Sequence, residues 1–556
     1  MSTSTPAPTG FGRRRRERTR ASLFVQGEPL VWLMGGGLVI AIAMIVGLLG
    51  LIAAEGFSTF LIRPVVRLRT AEGKIIMGEI ERTEARPGGA GNRRLVRVGN
   101  FELTGQHFVW VDEDTVRAEE RPPGALVVER QEWGRFYGEP VGFLLAGKAA
   151  AASPAEAWDL YLKHHEEVRE RWRTRRRIET KDIGAVNRTL EKARLALPAV
   201  ATGKGASNPA TAEANTRLAQ ADAAATAEYD RLRGEIQELN KANQKYQLVL
   251  RTGDGKEKTI ALADIVRAYP ANTLSFAGRA AIYFDRWREF LFDEPREANS
   301  EGGVFPAIFG TVIMTLVMSV VVVPFGVMAA LYLREYARAG AIVSAVRISI
   351  NNLAGVPSIV FGVFGLGFFC YAVGASIDQL FFAANLPNPT YGKGGVLWAA
   401  LTLALLTLPV VIVATEEALA AVPNSLREGS YACGASKWQT IRRIVLPRAM
   451  PGIMTGMILA MARGAGEVAP LMLVGAVKLA PELPLDGVFP FVHAQRSFMH
   501  LGFHIYDLGF QSQNSEAAKP MVFTTTLLLI GVVFLLNVLA VRLRTRLRRR
   551  FESEKF

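Results

Sequence analysis

Six long apolar runs divide this chain of 556 residues and limit how it can fold. A helix needs about 20 mainly apolar residues to cross the roughly 30 Å hydrocarbon layer of a membrane. The stretches that meet this length are Leu30–Ala54, Val304–Leu333, Ile348–Gly374, Val396–Val422, Met454–Val477 and Met521–Val541. The sequence therefore predicts a polytopic α-helical membrane protein with six transmembrane helices.

Basic residues set the predicted orientation of these helices. The chain has 65 Lys and Arg against 51 Asp and Glu, and arginines crowd the segments 13–20 and 542–550 beside apolar runs. Cytoplasmic connections of membrane proteins carry such an excess. We therefore predict that the basic tails 1–29 and 542–556 are cytoplasmic and that the large segment 55–303 lies outside. Because the charges flank membrane runs, we predict no nucleic-acid partner.

The first apolar run follows an arginine-rich segment, as the core of a secretory signal does. It is longer than the ~7–15 residues of such a core, and no convincing cleavage site follows it. We predict a retained transmembrane anchor over residues 30–54.

The outer segment 55–303 contains two kinds of sequence pattern. Short β-patterned runs alternate with glycine turns over 65–150 and over 248–270, which predicts a small β-domain. The seven-residue segments Leu68–Lys74 and Leu250–Lys256 resemble each other, and these two segments are expected to pair with each other within one β-domain. Between them, residues 154–246 carry the 3-4 apolar spacing of a coiled-coil seam and predict a helical hairpin. The hairpin is either a docking arm for a partner or a spacer that packs only on itself.

Sites for catalysis, cofactors and metals are not recognisable in the sequence. The Gly-Lys pairs are never followed by Ser or Thr, so no phosphate-cradling loop of the G-x4-G-K-[ST] kind is complete. His500 and His504 stand four residues apart, but no cysteine or paired carboxylate supports a metal site there. We therefore predict no enzyme activity, cofactor or metal, and expect any ATP hydrolysis from a partner.

A spaced set of residues lies in the predicted cytoplasmic loop over 423–450. Its members are Glu428, Gly434, Ile444, Leu446 and Pro447. The set resembles the E-A-A-x3-G-x9-I-x-L-P signature of ABC-importer permeases, with Gly429 and Ser430 in place of the two alanines. An ordinary basic loop would match these five positions only by chance.

The same loop is predicted to contain two short helices. One ends near Cys433, and Gly434 permits a left-handed turn. Ala435 and Ser436 then lead into a second helix that reaches Pro447. An exposed helix pair can fit a groove on a partner, and the resemblance implies that this partner is an ATPase.

Three further stretches narrow the resemblance to phosphate-specific permeases of the PstA type. They are NNLAGVPSIVFG at 351–362, EEALAAVPNSLRE at 416–428 and ARGAGEVAPL at 462–471, where Val468 replaces the usual threonine. The resemblance covers roughly Val304–Val541 and implies a permease core over 304–541 in the inner membrane. It also implies a second permease, ATPase subunits and an extracytoplasmic phosphate-binding protein as partners. It supplies no role for the outer segment.

Two ionisable residues fall inside the predicted fifth span. Arg463 is expected about 18 Å along a helix that enters the membrane near Pro451, with Glu467 one turn further on the same face. Charged groups at such depth must face protein or water, and a guanidinium can bind phosphate through two hydrogen bonds. We predict that Arg463 meets the anion in the translocation path and that Glu467 tunes its release. A structural ion pair is the alternative.

Gly355 and Pro357 fall inside the predicted third span. Both weaken the backbone hydrogen bonding of a helix and favour a kink there. They predict a helix hinge, which is either a gate or a static bend.

The function predicted from all these features is the permease subunit of an ATP-driven importer of inorganic phosphate. One alternative is a permease for another oxyanion or small solute. Another is a membrane-anchored scaffold or sensor whose active part is the outer hairpin.

Overall fold

The computed structural model describes residues 28–89, 91–201, 209–487, 489, 491–512 and 515–553. The predicted basic tail 1–29 lies outside these residues except for its last two positions. Residues 202–208 of the predicted hairpin and the last three residues of the C-terminal tail also lie outside them. The first helix, α1 (Glu28–Ser58), is apolar along its length. Its side chains from Val31 to Leu51 are exposed, as suits a helix in contact with lipid.

A five-stranded antiparallel sheet follows α1. It contains β1 (Val65–Thr70), β2 (Ile75–Ala85), β3 (Asn92–Arg97), β4 (Phe108–Asp112) and β5 (Val116–Glu120), with the short helix α2 (Phe101–Thr104) between β3 and β4. The strand order is β4-β3-β2-β1-β5. Alternate residues such as Val66 and Leu68 point to one face and pack there with Val96.

A second antiparallel sheet comes next in the chain. It contains β6 (Leu126–Arg130), β7 (Phe136–Leu145), β8 (Lys148–Ala149), β9 (Tyr246–Arg251), β10 (Glu257–Ala261) and β11 (Ile265–Tyr269). Its order is β10-β9-β7-β6-β11, with the two-residue β8 paired to β7. When β8 is set aside, each strand has the same neighbours as its counterpart in the first sheet.

Two irregularities recur in both sheets. The second strand of each shifts register, between Ile80 and Arg82 in β2 and between Pro140 and Gly142 in β7. A single helical turn also precedes each last strand. The β-domain is therefore built twice on one plan.

The predicted pairing of the two similar seven-residue segments is wrong. Leu68–Lys74 forms the turn between β1 and β2, whereas Leu250–Lys256 forms the turn between β9 and β10. The two turns occupy non-equivalent places in separate sheets. A glycine turn determines which neighbouring strands form a hairpin, but it does not determine which distant strand lies beside them.

The chain leaves the second sheet between β8 and β9 to form a helical hairpin. Its helices are α3 (Pro154–Arg177), α4 (Ile183–Ala201) and α5 (Pro209–Gln244), with a wide π turn at Ile178–Asp182 between the first two. The seam residues Ala225, Leu232 and Asn243 of α5 are buried, and α5 packs along α3 and α4. At 1.5 Å per residue, α5 is about 54 Å long.

The hairpin does not pack only on itself. Arg188 on α4 lies 3.1 Å from Glu482, whose carboxylate also pairs with Arg496 at 2.6 Å. Helix α4 also contacts the turn Ala383–Asn385. Both contacts are with loops of the C-terminal helical region, so a spacer that packs only on itself is excluded.

A buried charge network joins the β-domain to the segment that follows α1. The helix α6 (Phe276–Phe292) and the strands β12 (Pro295–Arg296) and β13 (Glu301–Gly302) follow the second sheet. Arg286 on α6 donates hydrogen bonds to the Glu129 carboxylate and, at 3.0 Å, to the Phe60 carbonyl. Arg267 pairs with Glu129 at 2.6 Å.

The C-terminal region is helical. Its helices are α7 (Phe305–Leu331), α8 (Ala341–Leu353), α9 (Ser358–Phe364), α10 (Ala375–Phe381), α11 (Val396–Ala420), α12 (Asn424–Ala432), α13 (Lys437–Thr440), α14 (Leu446–Gly466), α15 (Ala469–Val474), α16 (Leu501–Tyr506) and α17 (Ser515–Ser553). Wide π turns extend or join them at Tyr332–Tyr336, Gly365–Gly374, Ile441–Val445 and Asp507–Gln511.

Six helices among the described residues are long and apolar enough to cross a membrane. They are Val31–Ser58, Phe305–Tyr336, Ser358–Phe381, Val396–Ala420, Lys437–Gly466 and Ser515–Arg546. Helices α7, α11 and α14 pack against one another, and small residues bring them close together. A Cβ on Gly326 would stand 2.6 Å from Val411, and one on Gly456 would stand 2.7 Å from Ala414.

The predicted third span is wrong at its start. It was expected as one helix over Ile348–Gly374, but α8 ends at Leu353 and α9 begins at Ser358. Pro357 has no N–H to continue the helix and disfavours helical backbone in the residue before it. Gly355 and Pro357 therefore lie in the link between two helices and not inside a span.

The predicted fifth span is wrong at both ends. It was expected over Met454–Val477, but α14 begins at Leu446 and ends at Gly466. Pro470 lacks the N–H that would bond the Gly466 carbonyl, and its ring would clash with that carbonyl. The helix therefore stops four residues before the proline, and α15 continues as a separate short helix.

Candidate coupling loop and translocation site

The loop between α11 and α14 turns at a glycine. Helix α12 ends as the Cys433 N–H bonds the Gly429 carbonyl at 3.1 Å and the Gly434 N–H bonds the Tyr431 carbonyl at 2.9 Å. Gly434 has φ +81°, a left-handed conformation that favours glycine. No atom lies within 4 Å of a Cβ built there, so the backbone angle and not space requires the glycine.

The second helix of the loop begins with a reciprocal cap. The Ser436 hydroxyl accepts from the Gln439 N–H at 3.3 Å, and the Gln439 side chain accepts from the Ser436 N–H at 2.8 Å. Such a pair satisfies two backbone donors that a helix start leaves free. Ser430 adds a 2.8 Å hydrogen bond to Thr440 across the turn. Ser430, which replaces an alanine of the signature, thus fixes the angle between the two helices.

A buried ion pair fixes the loop to the end of α7. Arg427 lies 3.1 Å from Glu335, and both side chains are largely buried, at 13% and 10% exposure. Arg427 also donates to the carbonyls of Leu419 and Val422 at 2.9 and 2.6 Å. Arg427 therefore joins the loop to the ends of two membrane helices, α7 and α11.

The opposite face of the loop is open. The side chains of Glu428, Tyr431 and Trp438 are exposed, and among the described residues Glu428 has no ion-pair partner. Lys437 stands 4.9 Å from the centre of the Tyr336 ring, which holds the second helix against the end of α7. Exposed aromatic and acidic side chains on a rigid helix pair form a surface suited to docking.

The last predicted loop residues lie at the entry to α14. Ile444, Leu446 and Pro447 are half-buried, and Leu446 packs against the cluster that contains Leu419. The π turn Ile441–Val445 directly precedes Pro447. Proline has no N–H to donate to the preceding turn, and a wide π turn tolerates this missing hydrogen bond. The helix therefore continues from the loop into the membrane span.

Arg463 and Glu467 lie together at the far end of α14. Arg463 is in the last helical turn, and Glu467 follows the helix with extended backbone angles of φ −78° and ψ 135°. The Arg463 Nε and a Glu467 oxygen are 3.5 Å apart, with side-chain exposures of 36% and 21%. The structure brings the predicted pair together, but the carboxylate comes from the break after the helix and not from its next turn.

The two glycines around this pair have different surroundings. A Cβ on Gly464 would stand 2.5 Å from the Met318 sulfur, so Gly464 permits the close packing of α14 on α7. A Cβ on Gly466 would meet nothing within 4 Å. Across the break, a Cβ on Gly362 would stand 2.7 Å from the Cα of Pro470, which places α9 directly against α15.

The predicted hinge residues Gly355 and Pro357 are exposed in the link between α8 and α9. A Cβ on Gly355 would meet only the Asn352 carbonyl, at 3.5 Å. The neighbouring Leu353 and Val356 pack against the helical core. The link is therefore held by its apolar residues, while its glycine and proline face outward.

The histidines His500 and His504 are buried around α16. The His500 Nδ1 accepts from the Gly502 N–H at 3.1 Å and caps this helix. Within the described residues, no group of three or more His, Cys, Asp or Glu side chains is placed to hold a metal ion.

Sequence reasoning missed the residues that join the loop to the membrane helices. Glu335 lies in a basic connection just after α7, and its partner Arg427 is 92 positions away. A lone carboxylate among basic residues was the available signal. Its partner is evident only in the folded chain.

Comparison with known proteins identifies the helical region. Residues 322–552 match the family described as the binding-protein-dependent transport system inner membrane component. The chain is 45% identical over 175 residues to the phosphate transport system permease protein PstA 1 of Mycobacterium tuberculosis, covering 31% of this chain and 52% of that protein. Residues 322–552 thus resemble the membrane component of a binding-protein-dependent transport system, and part of the chain is similar to PstA proteins. This family match and the six apolar helices make the chain a polytopic α-helical membrane protein.

Other relatives of this region give similar coverage. The PstA protein of Mycobacterium leprae is 41% identical over 198 residues, which are 35% of this chain and 59% of that protein. The probable ABC transporter permease protein YqgH of Bacillus subtilis is 34% identical over 193 residues, 34% of this chain and 59% of that protein. The chain thus spans about half the length of the curated relatives it matches. The β-domain and the helical hairpin lie outside the family match.

Proposed function

We propose that this chain is the membrane-spanning permease subunit of an ATP-driven ABC importer for inorganic phosphate. The observation that carries the proposal is the family match over residues 322–552, together with the similarity of part of the chain to PstA proteins. In this proposal, cytoplasmic ATPase subunits engage the loop from Glu428 to Pro447. An extracytoplasmic binding protein delivers phosphate to a pathway that this chain forms with a second permease. The energy of ATP hydrolysis comes from the ATPase subunits and not from this chain.

The proposed location is the cell inner membrane, with both termini cytoplasmic and the β-domain and hairpin in the periplasm. The excess of Lys and Arg in the short connections supports this orientation. The contacts of α17 are consistent with it. Thr524, near the start of α17, bonds the Gly56 carbonyl at 3.2 Å beside the β-domain. Arg544, near its other end, bonds Thr455 at 2.9 Å on the side of the loop.

The proposed path for the anion passes Arg463. Its guanidinium remains partly accessible and has one ion-pair partner among the described residues, Glu467 at 3.5 Å. A cation whose charge is partly balanced can attract a divalent oxyanion and still release it. The break at Glu467 leaves backbone groups near the site that are free of helical hydrogen bonds, an arrangement that membrane proteins tolerate where a cavity is lined.

Radiolabelled phosphate uptake tests the proposal. Membrane vesicles from cells with and without this subunit are supplied with ATP and with the matching binding protein. Uptake that depends on the subunit and is competed by phosphate but not by sulfate is expected. Competition by sulfate alone would instead support a permease for another oxyanion.

Co-purification separates a permease from a membrane-anchored scaffold or sensor. A permease subunit is expected to bring an ATPase with it, and this association should depend on the loop around Gly434. A chain that retains no ATPase and supports no uptake contradicts the proposal.

A further inference from the structure

A basic cleft opens in the β-domain, outside the region of the family match. It has a volume of about 1250 Å³ and lies between the C-terminal half of α3, the turn between β6 and β7, and the segment Phe292–Glu297 after α6. Arginines and lysines outnumber carboxylates among its lining residues. The same segment leads into α7, so the cleft lies close to the point where the chain enters the membrane region.

The arginines of α3 differ in whether they have hydrogen-bond and ion-pair partners. Arg171 donates to the Asn243 side chain at 2.9 Å, and Arg175 donates to Asn240 at 3.1 Å. These two residues hold α3 to α5 of the hairpin. Arg169 and Arg173 line the cleft together with Arg175, but among the described residues neither Arg169 nor Arg173 has an ion-pair partner. Arg169 also has a buried Nη1 without a hydrogen-bond partner.

The carboxylates of the cleft do not balance these two arginines. Glu289 is engaged by Arg267 and Arg296, and Glu294 pairs with Arg176 at 3.4 Å. At another wall of the cleft, Glu102 is held by Arg130 and Lys258. The remaining lining carboxylates are Glu132, Asp264, Asp293 and Glu297. Among the described residues none of them forms an ion pair with Arg169 or Arg173, so these two arginines have no counter-charge in contact with them.

The position of Arg169 is electrostatically unfavourable for its positive charge. Burial, reinforced by the charges of Arg173 and Arg296, lowers the pKa of Arg169 to about 10. A buried cation that faces other cations is unfavourable unless an anion compensates it. Arg169 also stacks over Trp172, with its guanidinium carbon 4.5 Å from the ring centre, which holds the guanidinium in a fixed orientation.

We infer that this cleft is a binding site for a phosphate group, with Arg169 and Arg173 as its ligands. A planar guanidinium offers two parallel N–H donors that match two phosphate oxygens. Residues one helical turn apart, as these are, can grasp one group from the same side. The phosphate belongs either to free inorganic phosphate or to the headgroup of an anionic lipid, since the cleft lies beside the membrane entry. The site does not depend on the proposed transport function.

The test uses the full-length protein in the Arg463→Gln background, so that phosphate held at the membrane pair does not contribute. In one arm, the protein in neutral detergent is titrated with inorganic phosphate by calorimetry. In the other, it is titrated with a short-chain phosphatidylglycerol or, as the neutral counterpart, a short-chain phosphatidylcholine, and thermal stabilisation is followed. Saturable binding in the first arm identifies free phosphate, and selective stabilisation by phosphatidylglycerol identifies the lipid.

Three variants decide whether the cleft is responsible. Arg169→Gln and Arg173→Gln are each expected to weaken binding at least about tenfold, the loss of one charge-assisted hydrogen bond. Arg173 is exposed, so its replacement leaves the fold intact even if Arg169→Gln does not. Arg171→Gln, on the same helix but facing α5, is the matched control and should bind normally. No binding in either arm, or equal losses in the control and in Arg173→Gln, would overturn the inference.

Discussion

At the scale of single residues, the charge of Arg463 is the feature on which the proposed pathway depends. A charge-assisted hydrogen bond contributes about 1.5–3 kcal/mol, so Arg463→Gln should lower phosphate uptake roughly 10- to 100-fold. The side chain is partly exposed and not part of the packed core, so the variant should still co-purify with its ATPase. Vesicle uptake and subunit recovery are measured together. Uptake at the wild-type rate would remove Arg463 from the pathway.

Gly434 gives a second prediction at this scale. A residue with a Cβ loses about 1–2 kcal/mol in the left-handed conformation that Gly434 adopts at φ +81°. Gly434→Val should therefore distort the turn and reduce ATPase recovery on the purified subunit several-fold.

Gly429→Ala is the matched control for that turn. Gly429 lies within α12, and a Cβ there would meet nothing within 4 Å. Alanine should stabilise the helix by up to about 1 kcal/mol and keep ATPase recovery intact. Equal loss of ATPase from both variants would show that the loop tolerates no change at all and that the turn geometry is not the cause.

At the scale of elements, the ion pair between Arg427 and Glu335 separates docking from transmission. The pair lies on the buried side of the loop, away from the exposed Tyr431 and Trp438. Glu335→Gln should therefore leave ATPase recovery unchanged and lower the phosphate transported per ATP hydrolysed. Uptake and ATP hydrolysis in one reconstituted preparation measure this ratio. Arg442→Gln, an exposed change in the same loop without an ion pair among the described residues, should leave the ratio unaltered.

The sequence predicted which segments form membrane helices better than it predicted where those helices begin and end. The length of the apolar runs is a sufficient signal for a membrane helix, and each predicted run overlaps a helix of membrane-spanning length. Hydropathy does not change at Pro357 or Pro470, because the flanking residues are apolar on both sides. The breaks at these prolines follow from backbone hydrogen bonding, which the composition of a run does not reveal.

Contacts between residues distant in sequence could not be predicted, for a different reason. The pair of Arg463 and Glu467 was predicted because four residues separate them, a distance that local geometry controls. Arg427 and Glu335 meet only because α7 and α11 pack side by side. The repeated strand order of the two sheets is hidden in the same way, since the hairpin of residues 154–244 interrupts the second copy.

At the scale of the whole molecule, one buried carboxylate organises the contact between the β-domain and the segment that follows α1. Glu129 accepts hydrogen bonds from Arg286 and Arg267, and Arg286 also bonds the Phe60 carbonyl. Burial alone would raise the pKa of Glu129, but the charges of Arg286 and Arg267 outweigh burial and hold this pKa well below its ordinary value. A carboxyl group of this kind stabilises the fold above its unfolded pKa, near 4.5, and loses that contribution as the pH falls towards its folded pKa.

Glu129→Gln should therefore destabilise the protein by about 3–5 kcal/mol at neutral pH, because it leaves buried arginines without their counter-charge. Melting temperatures in detergent are measured from pH 7 down to pH 3 for the wild type and the variant. The gap between them should narrow below about pH 4.5, as the wild type loses the contribution of the ionised carboxylate. Glu120→Gln, which removes an exposed carboxylate 3.9 Å from Arg67, should cost less than about 1 kcal/mol at every pH. A constant gap across the range would show that Glu129 stabilises the junction by its shape and not by its charge.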